Sequence, residues 1–113
     1  IDRREIGRNT FILEQNVLQP FVKIGDNCIL WSGNHIGHHS KIKSHNFISS
    51  HVVISGKCEL DEGCFFGVNS TVFDGVKVGR NSVIGGGSIV RRDLPDNSIV
   101  KAPISQITDR KLQ

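Results

Sequence analysis

Cut every six residues from Ile6, the chain yields one apolar column without a break: Ile6, Ile12, Leu18, Ile24, Leu30, Ile36, Ile42, Ile48, Ile54, Leu60, Phe66, Val72, Val78, Ile84 and Val90. If roughly 40% of positions are apolar by chance, such a run arises about once in a million trials, so the period belongs to the fold. A period of six suits neither an amphipathic helix nor the two-residue alternation of a half-buried strand. It suits a solenoid of hexapeptides, each giving one short strand and a turn, three of them closing a triangular coil of about 18 residues. Residues 6–95 then divide into five coils, 6–23, 24–41, 42–59, 60–77 and 78–95. These stack at about 4.8 Å, the spacing of paired strands.

Two further columns follow the first. Four positions after the apolar residue stand Thr10, Cys28, Ser40, Cys58, Cys64, Ser70, Ser82 and Ser88, read as small interior packing residues. One position after it Gly recurs as Gly7, Gly25, Gly37, Gly67, Gly79 and Gly85. Gly and Asn are assigned to turns, where positive φ is cheap for them. After Leu94 the segment LPDNS supplies a Pro and turn formers that end the coil in this reading. Residues 1–95 are therefore predicted as an all-β solenoid and 96–113 as an irregular tail with a short helix near its end.

Composition excludes several classes. Lys and Arg are scattered, the net charge is only +3, and no basic stripe with interleaved aromatics appears, so nucleic acid is not an expected partner. No run of 18 apolar residues and no charged-then-apolar leader occurs, so no membrane insertion is expected. Three cysteines form neither a CxxC pair nor an even framework, which points to reduced thiols and a cytoplasmic setting. Cys28 and Cys64 fall two coils, about 10 Å, apart, too far for a disulfide. The chain starts at Ile1 and has no Met, so it is read as a piece of a longer protein lacking N-terminal sequence. A single prism leaves three flat faces uncovered, and the expected remedy is a homotrimer with parallel axes and ligand grooves between subunits.

The segment GNHIGHHS, Gly33 to Ser40, holds three of the five histidines. In the coil arithmetic Ile36 points inward while Gly37, His38 and His39 occupy the turn after the third side. The residue one coil above His38 is Gly56, which predicts open space over the imidazole.

The repeat, together with WSGNHIGHHSKI, FISSHVVISG, CFFGVNSTV and VIGGGSIV, resembles the acyl-CoA-dependent acyltransferases of the left-handed β-helix superfamily. It is most similar to the branch of sialic acid O-acetyltransferase-like and nucleotide-amino-sugar N-acetyltransferases of bacterial glycan synthesis. The resemblance implies a left-handed parallel β-helix, a homotrimer, acetyl-CoA as acyl donor and a sugar or nucleotide-sugar acceptor. It makes His38 the general base for direct attack on the thioester, with His39 beside it where the best-studied branch has an acidic residue. That substitution leaves open whether another carboxylate, such as Asp74 in the same column, assists or none does. Val68 and Gly86 match donor-contact positions, Phe47 matches a third that is usually polar, and Gly85 to Gly87 would allow close approach of the pantetheine arm. Lys101, with Arg91 and Arg92, is a candidate for the phosphates of the donor. Family members often carry an N-terminal α/β domain, which residues 1–113 cannot supply.

Two other functions fit the same solenoid. A γ-carbonic-anhydrase-like zinc enzyme would use three histidines, but His39, His45 and His51, spaced at six, fall on three sides of the prism, and no metal site is predicted. A non-catalytic trimeric scaffold would leave the histidines and glycines as turn residues, and would favour charged residues in the cleft over Gly56 and Gly85 to Gly87.

Overall fold

The computed structural model describes residues 4–111. Among them the chain makes sixteen two-residue strands and no helix. Each strand pairs the apolar column residue and the residue before it, so one side chain points in and the next points out. The strands sort into three parallel sheets, the flanks of a prism. The first stacks Glu5–Ile6, Lys23–Ile24, Lys41–Ile42, Glu59–Leu60 and Lys77–Val78. The second stacks Phe11–Ile12, Ile29–Leu30, Phe47–Ile48, Phe65–Phe66, Val83–Ile84 and Ile99–Val100. The third stacks Val17–Leu18, His35–Ile36, Val53–Ile54, Thr71–Val72 and Ile89–Val90. Partners such as Glu5 and Lys23, or Val17 and His35, lie 18 residues apart. The predicted β-solenoid is the observed architecture.

Column residues from Ile24 to Val90 form one continuous buried core. At the opposite end Ile6 remains 51% exposed, and Ile12 and Leu18 are half-buried. The second interior column does more than leave room. Ser40 Oγ donates to Ser55 O (2.8 Å) and accepts the Cys58 N–H (3.1 Å) in the coil above. Thr10 does the same with Gly25 O (2.7 Å) and the Cys28 N–H (3.2 Å). Buried Asn34 accepts the Val52 N–H (2.8 Å), and buried Asn46 donates to Asp61 O (2.9 Å) and accepts the Cys64 N–H (2.9 Å). The thiols of Cys28, Cys58 and Cys64 donate to Lys43 O, Phe73 O and Gly79 O. These side chains thus supply hydrogen-bond partners to the next coil at corners where strand pairing stops.

The recurring glycines have a different cause from the one expected. Positive φ falls two positions later, on residues such as Asn9, Phe21, Asn27, His39, His45 and His51. The glycine after the column residue is needed for closeness: a Cβ on Gly37 would lie 2.5 Å from Gly56 N, and one on Gly67 the same distance from Gly86 N. At these corners no side chain fits against the backbone of the coil above, although Leu13, Trp31 and Ser55 hold the same place elsewhere.

The solenoid also does not stop at Leu94. Leu94 bridges to Val78, and Ile99–Val100 pairs with Val83–Ile84, so the column continues as Leu94 and Val100. Three residues, Arg91 to Asp93, replace the usual five between column positions, and this short corner has no positive-φ residue. LPDNS is itself a repeat unit: Asp96 accepts the Arg80 N–H (2.9 Å), Asn97 takes φ 62°, and Ser82 Oγ accepts the Ser98 N–H (3.2 Å). Pro95 has no N–H to give, and among the described residues no further coil of the first sheet lies where Gly7, in the corresponding place, donates to Ile24 O. Beyond Val100 the described residues are irregular, without the expected helix.

The flanks differ outside. The first presents Glu5, Lys23, Lys41, Glu59 and Lys77, with exposed ion pairs at 4.0 Å (Lys23–Glu5) and 3.7 Å (Lys77–Glu59) that stabilise little. The second presents Phe11, Ile29, Phe47, Phe65, Val83 and Ile99, with the rings of Phe47 and Phe65 stacked at 5.4 Å. The third presents Val17, His35, Val53, Thr71 and Ile89. Two flanks are therefore largely apolar and one is charged.

Replacing Asn34 by Ala strands the buried Val52 N–H and should lower unfolding free energy by about 1–3 kcal/mol. Cys28→Ser keeps a donor and an acceptor in place and should cost about 1 kcal/mol or less. Urea denaturation of the two variants beside the parent chain checks the difference.

Candidate functional site

His38 and His39 sit at the corner between the third and first flanks, both exposed. At other corners a side chain of the coil above caps the first turn amide, as Asp74 caps Gly56 N–H at 3.0 Å. Gly56 has no side chain to do this for His38, and Gln19 Oε1 from the coil below accepts the His38 N–H instead (2.9 Å). The room left by the missing Gly56 side chain is partly taken up by the imidazole itself: a Cβ on Gly56 would come within 2.7 Å of His38 Nε2. Above and beside the ring a pocket of about 370 Å³ is lined by His38, Gly56, Lys57, Asp74 and Gly75.

His39 holds φ 60°, its N–H donates to Pro20 O (3.1 Å), and its ring stacks on Phe21 with centroids 4.9 Å apart. Its Nδ1 lies 3.1 Å from His38 Nδ1. The polar partner of the His38 ring is thus His39, while Asp74 shares the pocket but spends its Oδ1 on Gly56. The glycine over the histidine and the histidine pair were both visible as residues, but their contacts depended on a ring orientation that spacing does not encode.

Val68, Gly85, Gly86 and Lys101 gather at a different corner, between the second and third flanks. Gly87 N–H donates to Val68 O (2.9 Å), and a Cβ on Gly86 would stand 3.1 Å from the same oxygen. Lys101 Cα lies 3.7 Å from where a Cβ of Gly85 would be. A cavity of about 400 Å³ there is lined by Gly87, Ser88, Arg91, Lys101 and their neighbours. Ser88 Oγ is buried with no hydrogen-bond partner, a feature the sequence reading missed. By the rule of its column it should bond the next coil, but the regular coil has ended by then. Arg91 packs over Phe73 at 5.6 Å as well as lining this cavity, whereas Arg92 belongs to the end of the prism with Val90 and Leu94. Phe47 lies on the second flank, stacked on Phe65, and touches neither histidine. Within one chain the two histidines and the Val68 corner stay separated by the third flank.

Two family profiles match, the hexapeptide repeat of succinyl-transferase over residues 61–92 and the bacterial transferase hexapeptide of six repeats over residues 5–38. The repeat of this chain matches that of the hexapeptide-repeat transferases in both halves. It is 30% identical over 103 residues to an acyl-[acyl-carrier-protein]–UDP-N-acetylglucosamine O-acyltransferase of Nautilia profundicola, matching 85% of this chain and 40% of that one. It is 31% identical over 94 residues to the bifunctional protein GlmU of a Bradyrhizobium, over 81% of this chain and 20% of the relative. The chain thus spans less than half the length of these relatives. Among solved structures it superposes on PerB from Caulobacter crescentus, which was solved with CoA and GDP-perosamine. The TM-score is 0.68 at 24% identity, covering 85% of this chain and 46% of that one.

Among hexapeptide-repeat features, the histidines at 39, 45 and 51 are explained by the coil. Each takes the left-handed position of a different corner, at φ 60°, 64° and 58°. Among the described residues no three His, Cys, Asp or Glu side chains converge closely enough to hold a metal ion. Among the described residues no helix is long and apolar enough to cross a membrane.

The three thiols take no part in either corner. Burial pushes all of them above the ordinary thiol value, and Asp26, Asp74 and Asp61 act in the same direction on Cys28, Cys58 and Cys64. A raised value keeps the unreactive thiol form at neutral and mildly alkaline pH. A thiol-reactive chromogen at pH 8 should therefore label almost none of the three in the folded chain and all of them in denaturant.

Proposed function

We propose that the chain is the catalytic β-helix of an acyltransferase that moves an acyl group, acetyl in our reading, from CoA to an amine or hydroxyl of a sugar or nucleotide-sugar. The single observation that carries this is the His38 imidazole lying against Gly56 at the edge of an open pocket, on a solenoid of the hexapeptide-repeat transferases. PerB binds CoA and GDP-perosamine, and the Nautilia relative acylates a UDP-sugar, which supports this substrate class.

His38 Nε2 acts as general base. The acceptor nitrogen or oxygen attacks the thioester carbonyl carbon and its proton passes to Nε2. As the C–S bond breaks, that proton goes on to the leaving sulfur, giving CoA as the thiol. Proton transfer by such a positioned base contributes about 10²–10⁴-fold. No covalent enzyme intermediate is required.

The donor runs along the corner of Val68, Gly85 and Gly86, with Phe47 on the adjoining flank and Lys101 near the phosphates. The bare backbone at Gly86 and the unpartnered Ser88 Oγ suit the amides of a pantetheine arm. Because the third flank separates base and donor corner in one chain, a neighbouring copy must bring them together, and a homotrimer does so. The apolar outer residues of the second and third flanks are the surfaces such packing would cover. The reduced thiols fit a cytoplasmic place in bacterial glycan synthesis.

Calorimetric titration with acetyl-CoA should show binding to the parent chain and none to Gly86→Trp, while sedimentation gives three copies per particle. His38→Ala should keep acetyl-CoA binding and lower transfer to amino-sugar acceptors by about 10²-fold or more. Gly56→Ala, whose Cβ displaces the imidazole, should lower turnover in the same direction. A folded trimer that binds no acetyl-CoA would favour the scaffold reading instead.

A further inference from the structure

The edge between the second and third flanks carries one residue per coil directly after each strand of the second sheet. In chain order these are Leu13, Trp31, Ser49, Gly67, Gly85 and Lys101. The strands from Ile29–Leu30 to Ile99–Val100 pair in unbroken register, so the last five stand one above another. Each of the first four of these donates its N–H to the coil above, at 2.9 Å for Trp31 and 2.8 Å for Gly85. Between an indole at the bottom and an ammonium at the top, one Ser and two Gly leave a trough. Ser88 Oγ, on a residue only 2% exposed and with no partner in the chain, lines the cavity at its upper end.

Trp31 is the only tryptophan of the chain. Its carbonyl accepts Asn16 Nδ2 (2.5 Å) and the buried Asn34 Nδ2 (3.1 Å), which fixes the backbone under the ring. The side chain itself is 45% exposed and contributes little to the core. A large rigid ring on a pinned backbone makes a well-defined wall for whatever lies in the trough.

The length of the trough matches one donor. Lys101 stands four coils above Trp31, about 19 Å at strand spacing. From diphosphate to sulfur the arm of CoA has about thirteen bonds, which reach about 16 Å at the span per bond of an extended chain. With the diphosphate at Lys101, the sulfur lies about 3 Å above Trp31, which leaves room for a carbonyl carbon and one methyl. The height of the base agrees by a separate count. His38 and Gly56 follow Trp31 by 7 and 25 residues, so the imidazole between them sits about 2–7 Å above the level of Trp31. Copies related by closed cyclic symmetry share their levels. His38 of a neighbouring copy then faces the thioester carbonyl, with the indole just beneath it.

We infer that Trp31 is the floor of the acyl site: its indole ends the donor trough and restricts transfer to acetyl, excluding longer acyl chains. This assignment rests on the acyltransferase reading, with the donor diphosphate at Lys101, and adds the residue that sets the acyl class.

Leu13 and Ser49 hold the same place on the coil, so Trp31→Leu and Trp31→Ser are substitutions the repeat accommodates. In calorimetric titrations the parent should bind acetyl-CoA about tenfold or more tighter than hexanoyl-CoA. Trp31→Ser should bring the two within about threefold of each other, and Trp31→Leu should fall between. As the sole indole, Trp31 should also change its fluorescence emission when the parent binds acetyl-CoA.

A parent that binds both thioesters alike overturns the inference, as does a Trp31→Ser chain that keeps the parent's preference. Either result leaves acetyl-CoA binding, and with it the acyltransferase reading, in place. If sedimentation shows that Trp31→Ser loses the trimer while Trp31→Leu keeps the parent's preference, the indole serves packing between copies and the inference again fails. A folded parent that binds neither thioester sinks the functional reading and takes the inference with it.

Discussion

The structure depends on three sharp corners in every coil, each of which must turn the chain within a few residues while the coils stay at strand-pairing distance. That requirement assigns nearly every position in the repeat. The column residue faces in, the next is glycine where the coil above comes closest, and two places on the chain turns left-handed. The following small residue then bonds the coil above. Asn, His, Lys, Gln, Phe and Gly all fill the left-handed place, so the penalty there is met by the rest of the coil. The closeness that excludes a Cβ at Gly37 admits no such variety.

The two candidate corners lie at the few places where this assignment is relaxed. Gly56 omits the capping side chain that its neighbours supply, and the imidazole of the coil below lies in the gap. Ser88 keeps the donor of its column after the regular coil has ended and is left with an unused hydroxyl. The glycines at 85 to 87 bare the backbone beside it. Under the proposed function the base and the donor corner are two different edges of one rod, and packing between copies is then part of the chemistry.

The period of six made the three-sided solenoid legible from the sequence, because inward-facing positions tolerate only apolar side chains and fall at fixed intervals. The buried cysteines were legible for the same reason. Fixed counting failed at Arg91 to Asp93, where a corner lost two residues and the column resumed at Leu94; Pro95 then reads as a stop although no described coil above requires its N–H. Gly33, Gly63, Gly75 and Gly87 take the positive φ expected of turn glycines, whereas Gly37 and Gly67 are there for contact with the next coil, a distinction that spacing cannot make. At the histidines, the sequence showed which residues shared a corner. It could not show that His38 turns over Gly56, or that His39 and not Asp74 is its partner, since both depend on side-chain torsions.

The uniform register has a consequence for how the chain assembles. Every strand pair joins residues 18 apart, or 16 at the shortened corner, however far along the rod it lies. Each coil therefore closes a loop of about the same entropy, and adding coils lengthens the protein without lengthening its contacts. Assembly can begin in the middle, where neighbours exist on both sides, and proceed outward one coil at a time. Ile6, Ile12 and Leu18, with a described coil on one side only, gain less from such stacking than the column residues between two coils.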